Sequence, residues 1–315
     1  AVASLAGLQP ETPVVLELSS WQLEAMDERK IGPAIAVLTN ISPDHLDTYR
    51  DFEDYADTKR SIAQHLDATD TLILNADDPE AAKAATITSA QVLWFGHHND
   101  RPGIRIAGNC LISTIPGHPG TLPIPNNPSL QGAHMQSNVA AAATAALVRG
   151  AEFAQIGTAL EQFGGIPNRT ERVATIDGVL FVNDTAATAP VAAIASLRAF
   201  AGRPIHLICG GADKQLDMTS LASEIADQST SVTLLDGTAS GTLANLIRHR
   251  APDLPTPIVQ SMGEAVSCAA AAAESGDVVL LSPGCASFGL FRDEFDRGQQ
   301  FREVVLRMQR GETFS

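Results

Sequence analysis

The chain has 315 residues, 44% hydrophobic and 18% charged, which is typical of a globular protein with room for two cores. Its formal net charge of −15 argues against non-specific binding to nucleic acids, which requires basic surface. No apolar run is long enough to span a bilayer, no signal-peptide pattern opens the chain, and the four cysteines lack metal-binding spacing, so we expect a cytoplasmic protein.

Short β-rich runs alternate with helical stretches through the first half of the chain. Strands are predicted at 14–20, 34–40, 71–78 and 91–96. Helices are predicted at 51–66, 79–86, 137–149 and 153–163. The stretch 102–131 breaks this rhythm with many Gly, Pro and Asn residues, and it predicts a small antiparallel appendage with a loop.

The helix predicted at 51–66 places a lysine on its apolar side, because the helical turn puts Lys59 near the middle of the apolar stripe. An amine in apolar surroundings has a lowered pKa, so it can capture carbon dioxide and become a carbamate, an oxygen ligand. With Glu17 at a predicted strand end and His45 in a Pro-Asp-His turn, it would form a divalent-cation site. Alternatively, Lys59 extends its ammonium to solvent and His45 is a turn or capping residue.

The second half of the chain restarts the alternation. Strands are predicted at 178–184, 204–211, 231–237, 257–261 and 277–283, and a final helix at 293–309. Continuous apolar strands separated by helices imply a parallel sheet covered on both faces, so this half is expected to be Rossmann-like. The segment 164–172 is the natural hinge between the two halves.

Polar residues follow several strands of this half, where ligands of open α/β sheets bind. Asp184 ends one strand, and Lys214 lies in a Gly-rich loop that lacks the standard nucleotide-binding spacings. Ser287 lies in "SPGCASFG", either an anion site at a helix start or an ordinary turn. Arg169 and Arg172 are either phosphate clamps or surface residues.

Nine motifs, taken in order, resemble those of the Mur ligase family. They are "ELSSWQLE" (17–24), "TNISPDHLDTY" (39–49), "YADTKRSI" (55–62), "NADDP" (75–79), "GAHMQSNVAAA" (132–142), "GIPNRTE" (165–171), "VNDTAATAP" (182–190), "GGADK" (210–214) and "LLSPGCASFGLFRDEFDRG" (280–298). The resemblance implies an α/β fold, with part of a central ATP-binding domain at 1–165 and a Rossmann-like, glutamate-binding domain at 166–315. The family's uridine-binding residues and GKT phosphate loop are absent, so we expect this chain to be inactive alone.

The resemblance also implies an activity. Members of this kind are ADP-forming amide ligases that join glutamate to UDP-N-acetylmuramoyl-L-alanine through an acyl phosphate during peptidoglycan synthesis. The implied cofactors are ATP, two Mg²⁺ ions and a carbamylated lysine, and neither nucleic acid nor membrane is an expected partner.

The resemblance assigns roles to individual residues. By this likeness, Lys59 is the carbamylated lysine that holds one Mg²⁺ with His45, and Glu17 ligates the other. The implied ATP contacts are Asn138, Arg169 and Asp184, and the implied glutamate contacts are Thr188, Lys214 and Ser287.

The chain departs from the family pattern around the amino-acid pocket. Where the family usually has Ser-Lys-Ala-Thr-Asn after the aspartate, residues 185–189 read "TAATA", so Ala186 replaces a lysine. Gly289 stands where an aspartate is common. A divergent branch with a similar pattern adds L-glutamate, so the enantiomer stays open. The chain could also be a nucleotide-binding module without turnover, or a ligase that adds glutamate to folate.

Overall fold

The computed structural model describes residues 8–9, 12–44, 48–130 and 132–312. The first sheet follows chain order: β1 (Ile35–Leu38), β2 (Thr71–Asn75), β3 (Gln91–Gly96), β4 (Gly103–Ala107), β5 (Cys110–Ile115) and β6 (His118–Pro123). The first four strands run parallel, and the last two pairings are antiparallel. The predicted antiparallel appendage is thus an extension of the first sheet.

Five helices accompany this sheet in the described part of the chain. They are α1 (Ser20–Glu28), α2 (Phe52–Arg60), α3 (Pro79–Ala82), α4 (Ala133–Val148) and α5 (Phe153–Glu161), with short 3₁₀ turns at Ser61–Ala63, Lys83–Thr86 and Pro128–Leu130. The side chain of Asp51 accepts a hydrogen bond from the Asp54 amide and so caps the start of α2. The small side chains of Ala140, Ala141 and Ala143 in α4 are fully or almost fully buried, which lets this helix pack closely over the sheet.

The prediction of a strand at 14–20 is wrong. Residues 13–19 form no regular structure, and Val15 is 95% exposed. An apolar run becomes a strand only where a neighbouring strand takes up its backbone hydrogen bonds, and none lies beside this segment in the described part of the chain. Instead, Ser19 and Gln22 form a reciprocal capping box that begins α1 at Ser20.

The second sheet has the order β11-β10-β9-β12-β8-β7. Its strands are β7 (Glu171–Ile176), β8 (Val179–Asn183), β9 (Ile205–Cys209), β10 (Ser229–Leu235), β11 (Ile258–Val259) and β12 (Val278–Leu281). Every pairing is parallel except that of β7 with β8. The sheet confirms the predicted parallel strands, whereas β7 was not predicted because its start lies in the presumed hinge.

Helices pack on both faces of the second sheet. The helices α6 (Pro190–Ala199), α7 (Thr219–Gln228) and α8 (Ser240–Arg250) bury apolar residues in one core. The helices α9 (Met262–Ala271) and α10 (Glu294–Gln309) contribute to the core on the other face. Arg302 of α10 also binds Glu171 of β7, with 2.8 Å between Nη2 and Oε2, which holds the antiparallel edge strand. The loops after β8, β9 and β12 therefore leave the same edge of a rigid sheet.

No helix in the described ranges combines the length and the apolar character that a membrane span needs.

Two phenylalanines of α10 offer a matched test of this packing. Phe301 is fully buried, whereas Phe295 is 64% exposed. We expect Phe301→Ala to lower the free energy of unfolding by about 3–5 kcal/mol, because it removes a ring from a closed core. Phe295→Ala should change it by no more than about 0.5 kcal/mol. Denaturant titration followed by circular dichroism measures both; equal losses would contradict the described burial of α10.

Candidate functional site

Lys59 of α2 is half-buried, and its amine lies beside other polar and aromatic groups. Its Nζ is 5.5 Å from the ring centroid of Tyr55, a buried residue one helical turn earlier. Burial lowers the pKa of the Lys59 amine, while the negative charges of Asp44 and Glu17 oppose this shift. Two carboxylates therefore face an amine whose neutral form is more accessible than that of a surface lysine.

The proposed metal ligands are only partly described. Glu17 is exposed, in the irregular segment before α1, and His45 lies outside the described residues. In the ranges that the structure covers, no three His, Cys, Asp or Glu side chains are grouped as for a metal ion. A carboxylate on Glu17 and a carbamate on Lys59 would nevertheless supply hard oxygen ligands of the kind that Mg²⁺ prefers. The residues present fit this ion.

Lys214 joins the two halves of the chain. Its Nζ donates hydrogen bonds to Oδ1 of Asp44 at 3.1 Å and to Oγ1 of Thr188 at 3.2 Å. The side chains of Lys214 and Asp44 are only 18% and 26% exposed. Thr188 lies in the loop between β8 and α6, and Lys214 follows β9. The structure thus brings together two of the three residues predicted to hold glutamate, and adds a carboxylate from the loop after β1.

The third predicted glutamate residue, Ser287, is buried in the loop after β12. That loop is fixed to the Lys214 loop by two backbone hydrogen bonds between Ala212 and Ala286, of 2.9 and 3.1 Å. Gly211 permits this approach, because it has a φ of +138° and a Cβ there would lie 2.3 Å from the Ala286 oxygen. Lys214 and Ser287 are therefore held by loops in direct contact.

Asp184, at the end of β8, is buried among hydroxyl and amide donors. Its carboxylate accepts hydrogen bonds from Ser196 Oγ, Ser282 Oγ and the Thr170 amide, at 2.5, 2.9 and 3.0 Å. Burial raises the pKa of Asp184 to about 6, although these bonds and the charge of Arg169 oppose the shift. Asp184 therefore ties the segment that carries Arg169 to β8, α6 and β12.

The other two predicted ATP residues are exposed. Arg169 lies in the turn before β7, and Asn138 lies on α4 with its amide nitrogen 3.9 Å from Met135 Sδ. Among the residues described, no hydrogen bond joins Asn138 to Arg169 or Asp184. The structure therefore places Arg169 near Asp184, whereas Asn138 lies on α4, which packs on the first sheet.

Arg297 is a residue that the sequence analysis missed. Its fully buried guanidinium donates to Oγ1 and the carbonyl of Thr185 at 2.9 and 3.0 Å, and to the Cys285 carbonyl at 3.2 Å. Burial lowers the pKa of Arg297 to about 10. It locks together the loops that carry Thr188 and Ser287. A single arginine in a polar helix gives no sequence signal for such a role.

Comparison with known proteins identifies the family. The chain matches the Mur ligase middle domain over residues 4–146 and the Mur ligase, glutamate ligase domain over residues 168–285. A UDP-N-acetylmuramoylalanine–D-glutamate ligase from Roseiflexus sp. (strain RS-1) is 42% identical over 316 residues, covering 97% of this chain and 67% of the relative. The ligase of the same name from Pelotomaculum thermopropionicum is 34% identical, covering 98% of this chain and 67% of the relative.

Solved structures share the fold at low sequence identity. The MurF ligase from Thermotoga maritima in complex with ADP has a TM-score of 0.64 at 18% identity, covering 89% of this chain and 63% of that one. The UDP-N-acetylmuramate-alanine ligase MurC from the same organism has a TM-score of 0.63 at 17% identity, covering 93% and 62%. These likenesses confirm the predicted α/β fold class.

The chain spans about two thirds of the length of the two relatives. Nearly all of its residues align with them, and the two family models follow each other in the order of the two sheets. The chain belongs to the Mur ligase family.

Proposed function

We propose that this chain forms the central and C-terminal domains, 1–165 and 166–315, of an ATP-dependent ligase that adds glutamate to UDP-N-acetylmuramoyl-L-alanine. The observation that carries the proposal is the shielded Lys214 ammonium, paired with a carboxylate, in a chain 42% identical to a D-glutamate ligase. The product would be a peptidoglycan precursor. Because the substrates would be nucleotides and nucleotide sugars, we propose that the reaction takes place in the cytoplasm.

The reaction runs in two steps. The alanine carboxylate of the nucleotide sugar attacks the γ-phosphorus of ATP, so that ADP leaves and an acyl phosphate forms. The glutamate amine then attacks the acyl carbon, and the tetrahedral intermediate collapses to an amide as inorganic phosphate leaves. The chain's main contribution is to hold the reactants in line and to match the charge that develops on them.

The residues around Lys59 would hold the cations that balance the negative charge of the phosphates. Glu17 would hold one Mg²⁺, and His45 with the carbamate of Lys59 would hold the other. Bound Mg²⁺ would neutralise charge on the transferring phosphoryl oxygens. The half-buried amine and its lowered pKa support carbamylation, since the neutral amine is the form that captures carbon dioxide.

ATP contacts are proposed for Asn138, Arg169 and Asp184. The exposed guanidinium of Arg169 suits a phosphate, because arginine can donate two parallel hydrogen bonds to its oxygens. Asp184 would act by fixing the Thr170 amide beside Arg169. The exposed amide of Asn138 can donate to and accept from an adenine edge.

Glutamate binding is proposed for Lys214, Thr188 and Ser287. A charged donor and a hydroxyl, 3.2 Å apart, suit a carboxylate group. The relatives named for D-glutamate favour that enantiomer. Addition of L-glutamate is the alternative, which the unusual residues 185–189 support.

The activity can be tested with the full-length protein. We expect ADP release that requires ATP, Mg²⁺, UDP-N-acetylmuramoyl-L-alanine and glutamate together, with D-glutamate preferred over L-glutamate. A coupled assay for ADP measures this, and omission of each substrate in turn provides the controls. No release with either enantiomer would refute the proposed function, and preference for L-glutamate would select the alternative.

Replacement of Lys59 tests the proposed carbamate. We expect Lys59→Ala to lower kcat about 10²- to 10³-fold, the usual loss when one preorganised electrostatic group is removed. Added acetate should restore part of kcat, because a free carboxylate can replace the lost ligand, whereas added bicarbonate should not.

Lys83→Ala is the matched control, since Lys83 is an exposed lysine paired with Glu80. Its kcat should stay within about twofold of the wild-type value, because exposed ion pairs contribute little. Full activity of Lys59→Ala would show that Lys59 has no role in catalysis.

A further inference from the structure

The turn that carries Arg169 has a strained backbone on both sides of this residue. Its neighbours Asn168 and Thr170 have φ angles of +68° and +46°. Asn tolerates this left-handed region, whereas the β-branched side chain of Thr crowds its own backbone there. Two of the five non-glycine residues that have a positive φ in the described chain therefore flank one arginine. Such a backbone persists only where surrounding contacts hold it.

Contacts with three elements of the second sheet and its helices hold Asn168. Its amide donates to Oε2 of Glu171 at 2.8 Å, and its carbonyl accepts from the Ala186 amide at 3.1 Å. Its side-chain Oδ1 accepts from Asn183 Nδ2 at 2.9 Å and from Arg302 Nη2 at 3.2 Å. Because these partners belong to β7, to β8 with the loop after it, and to α10, Asn168 is fixed to the edge of the sheet.

Thr170 is fixed on the other side of Arg169. Its amide donates to Oδ1 of the buried Asp184 at 3.0 Å. The helix α10 approaches the turn closely because it has Gly298 there, where a Cβ would collide with Oδ1 of Asn168. Hydrogen bonds and close packing thus offset the strain on both sides of the arginine.

The side chain of Arg169 differs from its neighbours in that it extends to the surface. The Arg169 amide donates to the Ile166 carbonyl at 3.1 Å, so the backbone of this residue is fixed as well. The side chain is exposed, and among the residues that the structure describes no hydrogen bond or ion pair involves its guanidinium. A cation presented in this way loses less conformational freedom when it binds an anion than one on a mobile loop.

We propose that Thr170 is a positioning residue, whose left-handed backbone orients the Arg169 guanidinium toward a phosphate group of the bound nucleotide. The inference rests on the proposed function, in which Arg169 contacts ATP. Thr170 acts through Arg169 and needs no contact of its own with the nucleotide. A glycine at position 170 would still permit the left-handed turn, but it would permit other conformations too, so the guanidinium would be less well preorganised.

Calorimetric titration of the full-length protein with a non-hydrolysable ATP analogue, in the presence of Mg²⁺, tests this role. We expect Thr170→Gly to bind the analogue about threefold to fivefold more weakly, because the added backbone freedom of glycine is lost when the nucleotide binds. The unfolding temperature of this variant should stay close to the wild-type value, since glycine relieves strain in the folded state but adds freedom to the unfolded chain.

Asp177→Gly is the matched control. Asp177 lies in the turn between β7 and β8, at the opposite end of β7 from Thr170, and its φ is +49°. This variant relieves the same kind of strain at the other end of the same strand. Its Kd for the analogue should stay within about twofold of the wild-type value, as expected for an exposed substitution outside the binding site.

A double-variant cycle shows whether Thr170 acts through Arg169. Arg169→Ala should weaken binding of the analogue, because it removes the guanidinium itself. Thr170→Gly should cause no further loss in the Arg169→Ala background, because no guanidinium is left to position. A residue that only stabilises the fold would give the same loss in both backgrounds.

Four outcomes would contradict these expectations. Unchanged or tighter binding by Thr170→Gly overturns the inference while the proposed function stands. An equal loss in Asp177→Gly overturns it as well, because the effect would not be local to Arg169. A further loss in the Arg169→Ala background would show that Thr170 does not act through Arg169. No binding of the analogue by the wild type would overturn this inference together with the proposed function.

Discussion

Partial burial of the Lys59 amine is the constraint on which the site depends. An ammonium loses hydration there, and the two carboxylates that face it, Glu17 and Asp44, recover only part of that loss. Conversion to a carbamate would reverse the sign of the group, so the same carboxylates would then repel it. A divalent cation between these groups removes that conflict. Carbamylation and Mg²⁺ binding are therefore expected to depend on each other, and in the proposed function a single lysine would be a condition for phosphoryl transfer.

The second requirement is that three loops keep fixed positions relative to this lysine. The backbone pairing of Ala212 with Ala286 and the buried guanidinium of Arg297 join the loops after β8, β9 and β12 into one unit. This unit contacts the first sheet through the pair between Lys214 and Asp44. The carboxylate of Asp44 thus acts on both Lys59 and Lys214, and it links the residues proposed to bind glutamate with the residues proposed to bind Mg²⁺.

Much of the fold could be predicted from the sequence, because buried parallel strands appear as continuous apolar runs. The segment 14–20 has such a run but no neighbouring strand in the described ranges, so its apolar pattern predicted a strand that does not form. The strand β7 is partly polar, and it is held by the contact of Glu171 with Arg302, which no local pattern reveals. The helical position of Lys59 was visible in the spacing of its neighbours, whereas the pairing of Asp44 with Lys214 depends on tertiary structure alone.

The central claim is that Lys59 carries a carbamate when Mg²⁺ is bound, and ¹³C NMR of the full-length protein in ¹³C-bicarbonate tests it most directly. We expect a carbamate carbonyl signal that grows with Mg²⁺, is lost in Lys59→Ala and is retained in Lys83→Ala. The absence of such a signal in the wild type, or its persistence in Lys59→Ala, would contradict the claim.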